Sequence, residues 1–267
     1  MDGEHVRTSG DAFLLEARSL RKRFGGVQAL RHVDFRVGRG EVVGLLGDNG
    51  AGKSTLIKIL NGVYPPDAGE ILWEGRPIHL RSPRDAQALG ISVVYQDLAV
   101  VDLMNIHRNM FLGREDEVSV RLGPFRILRP ALAKARAERV LREIGIQVRD
   151  TDEPVMNLSG GERQSIAIAR AVHFSAKLLI MDEPTSQLSL KETATVLRDI
   201  EEARERGVSV VFITHNVRHV YPIADRFTVL SHGESIGGFL RGQVSEDEIA
   251  DLIVRGREAA ILGDEGA

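Results

Sequence analysis

The chain has 267 residues, room for one large domain or two small ones and for a core that needs no staples. Its 35 Lys and Arg against 38 Asp and Glu leave a formal charge of −3, too balanced for a surface that is a nucleic-acid footprint throughout. Zero cysteines exclude a disulfide framework, a Cys-ligated metal site and a thiol nucleophile.

Residues 1–11 are polar, lack the apolar stretch of a secretory signal, and are expected to form a tail. Residues 41–46 read as a buried strand, followed by a Gly-rich turn and a helix over 53–61. Ser82-Pro83 places a cap residue before a proline at the first helical position. Residues 92–95 form another short apolar run. From 97 to 158 no strong strand pattern shows, while 130–144 carries Ala and Leu at helical spacing among Arg, Lys and Glu. A mostly helical insertion over 97–158 is therefore expected within an α/β core. Helical spacing returns over 163–172. The apolar runs 178–181 and 208–213 lack period-2 alternation, as strands covered on both faces do, and a helix over 191–206 joins them. Ser245 with Glu248 fits a capping box, and residues 256–267 trail off in Gly, Glu and Asp as a second expected tail. No run approaches the ~18 apolar residues of a membrane span.

Gly47-Asp48-Asn49-Gly50-Ala51-Gly52-Lys53-Ser54 matches G-x-x-x-x-G-K-[ST] between a strand and a helix, the context that this phosphate loop requires. The glycines let successive N–H groups converge on one anion, and the helix dipole adds positive charge there. Lys53 is expected to reach the β- and γ-phosphates, and Ser54 to offer a hydroxyl to Mg²⁺. Leu178-Leu179-Ile180-Met181 ends in Asp182-Glu183. At the carboxyl end of a parallel strand, Asp182 suits a Mg²⁺ shell and Glu183 the polarisation of an attacking water. Alone, the pair could equally be a solvated loop start; beside a phosphate loop the functional reading gains most of the weight.

Leu158-Ser159-Gly160-Gly161-Glu162 precedes the helical stretch 163–172. Ser159 and Glu162 make a capping box, and the two glycines allow close approach to the helix start. Blandly, this is a well-capped helix. The run "LSGGERQSIAIARA", however, resembles the signature of the ATP-binding-cassette (ABC) ATPases. "GDNGAGKST" at 47–55 and "LLIMDEPT" at 178–185 stand in the family's order, so the resemblance covers essentially the whole chain.

The resemblance implies a P-loop NTPase core with a mostly parallel sheet, an antiparallel β region near the N-terminus and a helical subdomain. It implies one cassette over residues 12–255, with a core of 12–96 and 159–255 and the subdomain at 97–158. ATP would be held by Phe24, stacking on adenine, and by Gly47, Asp48, Asn49, Gly50, Ala51, Gly52, Lys53, Ser54 and Thr55. Mg²⁺ would meet Ser54, Gln96 and Asp182, and the catalytic set would be Glu183, His215 and Lys53. In a homodimer, Ser159, Gly160, Gly161 and Glu162 would contact ATP bound to the other subunit.

Two departures from the family pattern stand out. Glu162 occupies a position where Gln is commonest, and Ser189 stands where the family usually has an aspartate that signals between sites. Finer resemblance, in "GDNGAGKST", "MFLGRE" and "THNVRHVYPIADRFTVL", is to ATPases of ribose-, fructose- or inositol-type uptake. The implied partners are a membrane permease and, through it, a periplasmic sugar-binding protein, with no nucleic acid. The implied location is cytoplasmic, at the inner face of the membrane. A soluble ABC ATPase acting on ribosomes or DNA, and the ATPase of an exporter, are the alternatives.

Overall fold

The computed structural model describes residues 13–95, 100–146, 150–174 and 176–264. The expected tail at 1–11 and Gln96 lie outside the described residues. The strands are β1 (Leu15–Phe24), β2 (Val27–Val37), β3 (Val42–Leu46), β4 (Ala68–Trp73), β5 (Arg76–Ile78), β6 (Ile91–Val94), β7 (Ser119–Leu122), β8 (Phe125–Leu128), β9 (Leu178–Asp182), β10 (Ser209–Thr214), β11 (Arg226–Ser231) and β12 (Glu234–Leu240). The helices are α1 (Lys53–Leu60), α2 (Pro83–Leu89), α3 (Ile106–Met110), α4 (Pro130–Glu143), α5 (Gly160–His173), α6 (Leu190–Glu205), α7 (Val217–Val220) and α8 (Glu246–Asp264).

Among the described residues, ten strands join in the order β5-β4-β1-β2-β12-β11-β3-β10-β9-β6. β6, β9, β10, β3 and β11 run parallel, whereas β1, β2, β4 and β5 pair antiparallel toward the other edge. The fold is thus α/β with a mostly parallel core and an antiparallel region built largely from N-terminal strands. The two halves meet between β12 and β2 through one residue pair, Glu234 with His32. Two hairpins turn on residue pairs that both have positive φ, Glu74-Gly75 and His232-Gly233. Such two-residue turns match the right-handed twist of the strands that they connect.

The parallel strands read as continuous apolar runs because each face has its own core. Leu178, Ile180, Val211 and Ile213 pack toward α1 and the N-terminal strands. Leu179, Met181, Val210 and Phe212 pack on the opposite side with residues of α5, α6 and α7. A third cluster lies in the insertion, where Ile106, Met110, Phe111, Ala137 and Leu141 close on Ile166 and Ala169 of α5. The signature helix therefore contributes to both cores, with Ala167, Ile168 and Ala171 on its other side.

The insertion also holds an element that the sequence did not announce. It contains helices α3 and α4 but also an antiparallel hairpin, β7–β8, turning between Leu122 and Phe125. Gly123-Pro124 supplies the turn, with Gly123 at φ +59°, and the strands lie largely exposed, so no apolar run announced them. At the C-terminus, α8 continues to Asp264 where a tail from 256 was expected. Its start is the expected box: Ser245 N donates to Glu248 Oε2 at 2.8 Å, and Glu248 N to Ser245 Oγ at 3.3 Å. α2 begins at Pro83 as expected, but the Ser82 hydroxyl caps nothing, and Asp85 instead accepts from Arg81 N at 2.8 Å.

Phe212 is fully buried in the layer that supports β9 and β10. Replacing it by alanine is expected to cost about 3–5 kcal/mol. Urea unfolding checks this; an unchanged midpoint would show that the layer is not the fold's main support.

Candidate functional site

The site is set by strand register. Thr214 of β10 lies opposite Leu46 of β3, and Ile213 opposite Asp182 of β9. Gly47, Asp182, Glu183 and His215, read from three separate segments, therefore emerge together at the carboxyl edge of the sheet, where α/β proteins bind ligands.

Between β3 and α1 the chain turns through Gly47, Gly50 and Gly52, with φ of +146°, +82° and +105°. Two of these glycines are also sterically required. A Cβ at Gly47 would lie 2.3 Å from the Leu230 carbonyl oxygen, and one at Gly52 would lie 2.9 Å from that of Ala29. α1 then starts on Gly52 with no side-chain hydrogen bond at its cap and no acid in its first turn. Its leading N–H groups and dipole are left for an anion. A cleft of about 590 Å³ opens there, lined by Gly26, Val27, Gln28, Ala29 and Arg31, by Asp48, Asn49, Gly50 and residues 52–55, and by Asp182, Glu183 and His232.

Lys53 is buried beneath this loop. Its Nζ donates to the carbonyls of Gly47 at 2.7 Å and Asp48 at 3.0 Å. Burial lowers the lysine pKa, against the pull of Glu183, Asp182 and Asp48. Asp182 goes the other way: burial, and then the neighbouring Glu183 charge, push its pKa up despite Lys53 and Lys58. The basin thus holds buried charge that its own residues only partly balance.

Glu183 is a non-glycine residue at φ +49°, a left-handed conformation that costs of order 1–3 kcal/mol unless its surroundings hold it. They do. Its N–H donates to Ile213 O at 2.9 Å. Its carboxylate accepts from Thr214 Oγ1 at 3.0 Å and His215 N at 3.0 Å, and lies 2.7 Å from His215 Nδ1. Sequence reasoning named Glu183 and His215 separately; the structure makes them a pair. It missed Thr214, which also accepts from Asn216 N at 3.0 Å, and His219, whose Nδ1 lies 2.8 Å from Thr185 Oγ1. The strand-end position of Thr214 was the available signal; nothing local marked His219.

The signature forms a second helix start. Ser159 Oγ accepts from Glu162 N at 3.3 Å and Glu162 Oε2 from Ser159 N at 2.8 Å, so the expected capping box is formed and Glu162 is taken up by it. Gly160 opens on another cleft, of about 370 Å³, which it shares with Gln164, Glu183 and Gln187. The phosphate loop and the signature thus face different clefts of one chain. Phe24 ends β1 and is partly exposed, edge-on to Tyr64 at 5.1 Å between ring centroids, with Lys22 Nζ 5.6 Å from its ring. Gly26 and Val27, just beyond it, are what reach the phosphate-loop cleft.

A glycine-turned loop running into an uncapped helix, with an acidic strand end beside it, defines a P-loop nucleotide-binding protein. Comparison with known proteins narrows the class. The family model described as "ABC transporter" matches residues 30–186. The xylose/arabinose import ATP-binding protein XylG of Sulfolobus acidocaldarius is 42% identical over 240 residues, 90% of this chain and 93% of that protein. The fructose import ATP-binding protein FrcA of Rhizobium meliloti is 45% identical, over 81% of this chain and 84% of that one. The ribose import ATP-binding protein RbsA 1 of Rubrobacter xylanophilus is 45% identical over 91% of this chain but 46% of its own length. The chain thus spans about half of that relative. Among solved structures, the ADP conformation of MJ1267, an ATP-binding cassette of an ABC transporter, superposes with a TM-score of 0.78 at 24% identity, covering 93% of this chain and 98% of that one. The chain belongs to the ABC transporter ATP-binding family and is an ABC-type ATPase.

The raised Asp182 pKa gives a signed prediction for the nucleotide-free protein. The folded chain holds that proton more tightly than the unfolded chain does. Ionising Asp182 therefore costs stability as pH rises above the ordinary aspartate range. Asp182→Asn is expected to melt at higher temperature than the parent at pH 7, with the difference closing below that range. Thermal melts at several pH values check it; equal melting temperatures at pH 7 would contradict it.

Proposed function

We propose that the chain is the ATP-hydrolysing subunit that energises a sugar importer. The observation that carries the hydrolytic part is Glu183, fixed by Thr214 and His215 at the strand end beside the phosphate loop. A carboxylate so held can accept a hydrogen bond from water and orient it toward a γ-phosphate cradled by residues 47–55. Lys53 would exchange its loop carbonyls for phosphate oxygens, and His215 would position Glu183 and meet the γ-phosphate. Phe24 would offer a ring face to adenine. The work is positioning and charge stabilisation rather than covalent chemistry.

The residues suit Mg²⁺. Ser54 and Asp182 offer hard oxygen donors, Asp182 carries a raised pKa that a cation would relieve, and Gln96 would complete the set. Mg²⁺ is commonly bound through one or two protein oxygens together with substrate phosphates and water, so Ser54 and Asp182 need not enclose it. When bound, Mg²⁺ supplies charge that neutralises the β- and γ-phosphate oxygens.

Two anion-accepting helix starts on separate clefts support a sandwich. In it, the phosphate loop of one copy faces Ser159, Gly160, Gly161 and Glu162 of another, giving two ATP sites per homodimer. Among the described residues no helix is long and apolar enough to cross a membrane. The relatives' names as import ATP-binding proteins support peripheral attachment at the inner face of the membrane through separate permease subunits. The relatives are named for import of xylose and arabinose, fructose or ribose, which favours sugar import over export. A periplasmic sugar-binding protein would deliver the cargo to the permease.

Two measurements test the proposal. Glu183→Gln should bind ATP yet accumulate as a dimer in size-exclusion chromatography with ATP and Mg²⁺. His215→Ala should lose on the order of 10²-fold in turnover, the scale of one preorganised transition-state contact. A Glu183→Gln protein that stays monomeric and turns over ATP normally would sink the mechanism. The importer reading is checked by ATPase activity in a reconstituted permease complex against a panel of pentoses and hexoses. Activity indifferent to every sugar would overturn it.

A further inference from the structure

α5 and α6 begin side by side, and one carboxylate serves both starts. Glu192 closes the capping box of α6: its Oε2 accepts from Ser189 N at 3.0 Å and Ser189 Oγ at 2.7 Å. Its Oε1 reaches across to the signature helix and accepts from Gly161 N at 3.3 Å. The contacts with Ser189, and then the one with Gly161 N, hold Glu192 down at about 2. The approach depends on glycine, because a Cβ at Gly161 would lie 3.0 Å from Glu192 Cβ and 3.1 Å from its Cγ. Further along, Ser165 of α5 donates to the buried Asp199 of α6, so the two helices are joined at a second level.

The departure at Ser189 now has a structural account. A hydroxyl there donates to Glu192, whereas an aspartate could only accept and would set a second negative charge against it. Ser189 and Glu192 form one unit.

We propose that Glu192 is a built-in anion at the signature. It holds Gly161 N–H in the free chain and must cede it to the γ-phosphate of ATP bound to the partner copy. This inference rests on the sandwich proposed above and makes Glu192 a positioning residue. One N–H cannot serve two anions, and a carboxylate beside an incoming phosphate repels it. Closure would leave Glu192 bound to Ser189 alone, so filling the signature loosens the tie to the loop at 186–189. The signature and that loop would then report on each other within one chain, without an aspartate at 189.

The test uses the full chain carrying Glu183→Gln, with ATP-driven dimerisation followed by light scattering as ATP is titrated. Adding Glu192→Gln keeps an acceptor for Ser189 and removes the charge. The ATP concentration at half-dimerisation is expected to fall about fivefold, the effect of removing one like charge at roughly 4 Å in water. The nucleotide-free melting temperature should not rise, so a general stabilisation cannot account for the shift. Should Glu192→Gln fail to fold, Glu192→Ala carries the same expectation for ATP, with a lower melting temperature from the lost cap. An unchanged or higher half-point in a folded variant overturns the role of Glu192. A parent that never dimerises with ATP overturns the sandwich and this inference with it.

Discussion

Strands β9, β10 and β3 lie parallel and in register, and this pairing decides where each polar group of the site stands. Leu179 and Met181 face one core while Leu178 and Ile180 face the other, and Val210 and Phe212 alternate with Val211 and Ile213 in the same way. A one-residue slip would exchange the faces of all these side chains. It would also move Asp182 and Glu183 along the edge, away from Gly47 and His215. Apolar burial thus fixes the register, and the register brings three distant segments to one place.

The free site is electrostatically incomplete. Asp182 is pushed up by burial and by Glu183, Lys53 is pushed down by burial and folded onto loop carbonyls, and α1 starts without a cap. Each imbalance would be relieved by a phosphate chain and its cation. At the signature the condition is reversed, since the start of α5 is capped by Ser159 and Glu162 and also supplies Gly161 N–H to Glu192. The start of α1 leaves its leading N–H groups without a side-chain cap, whereas the start of α5 is served by side chains of the chain itself.

Local motifs were legible because their geometry is written in consecutive residues. The phosphate loop announced itself through glycines set where its backbone takes positive φ, and the boxes at Ser159 and Ser245 through a three-residue spacing. Pairings were less legible. Glu183 and His215 could each be picked from strand ends, but their contact depends on β9 and β10 being neighbours, which neither segment states. Ser189 looked like a loss when compared with an aspartate. The compensating Glu192 becomes visible only once α5 and α6 lie together. The exposed hairpin β7–β8 escaped because largely solvated strands need no apolar run, although Gly123-Pro124 was a turn signal.

The position of α5 ties these observations to coupling. Its Ile166 and Ala169 belong to the cluster of the insertion, while its Ala167, Ile168 and Ala171 belong to the core that carries β9 and β10. Close-packed interiors transmit displacement rather than absorb it. A force applied to the insertion must therefore pass through the helix whose first residues are Gly160 and Gly161. At that point it meets Glu192, and through Glu192 the cap of α6, which follows the loop leading from Glu183. The chain thus holds a continuous packed and hydrogen-bonded route from the insertion to Glu183 at the sheet edge. The route runs through side chains with discrete partners, and such contacts switch between arrangements rather than yield by degrees.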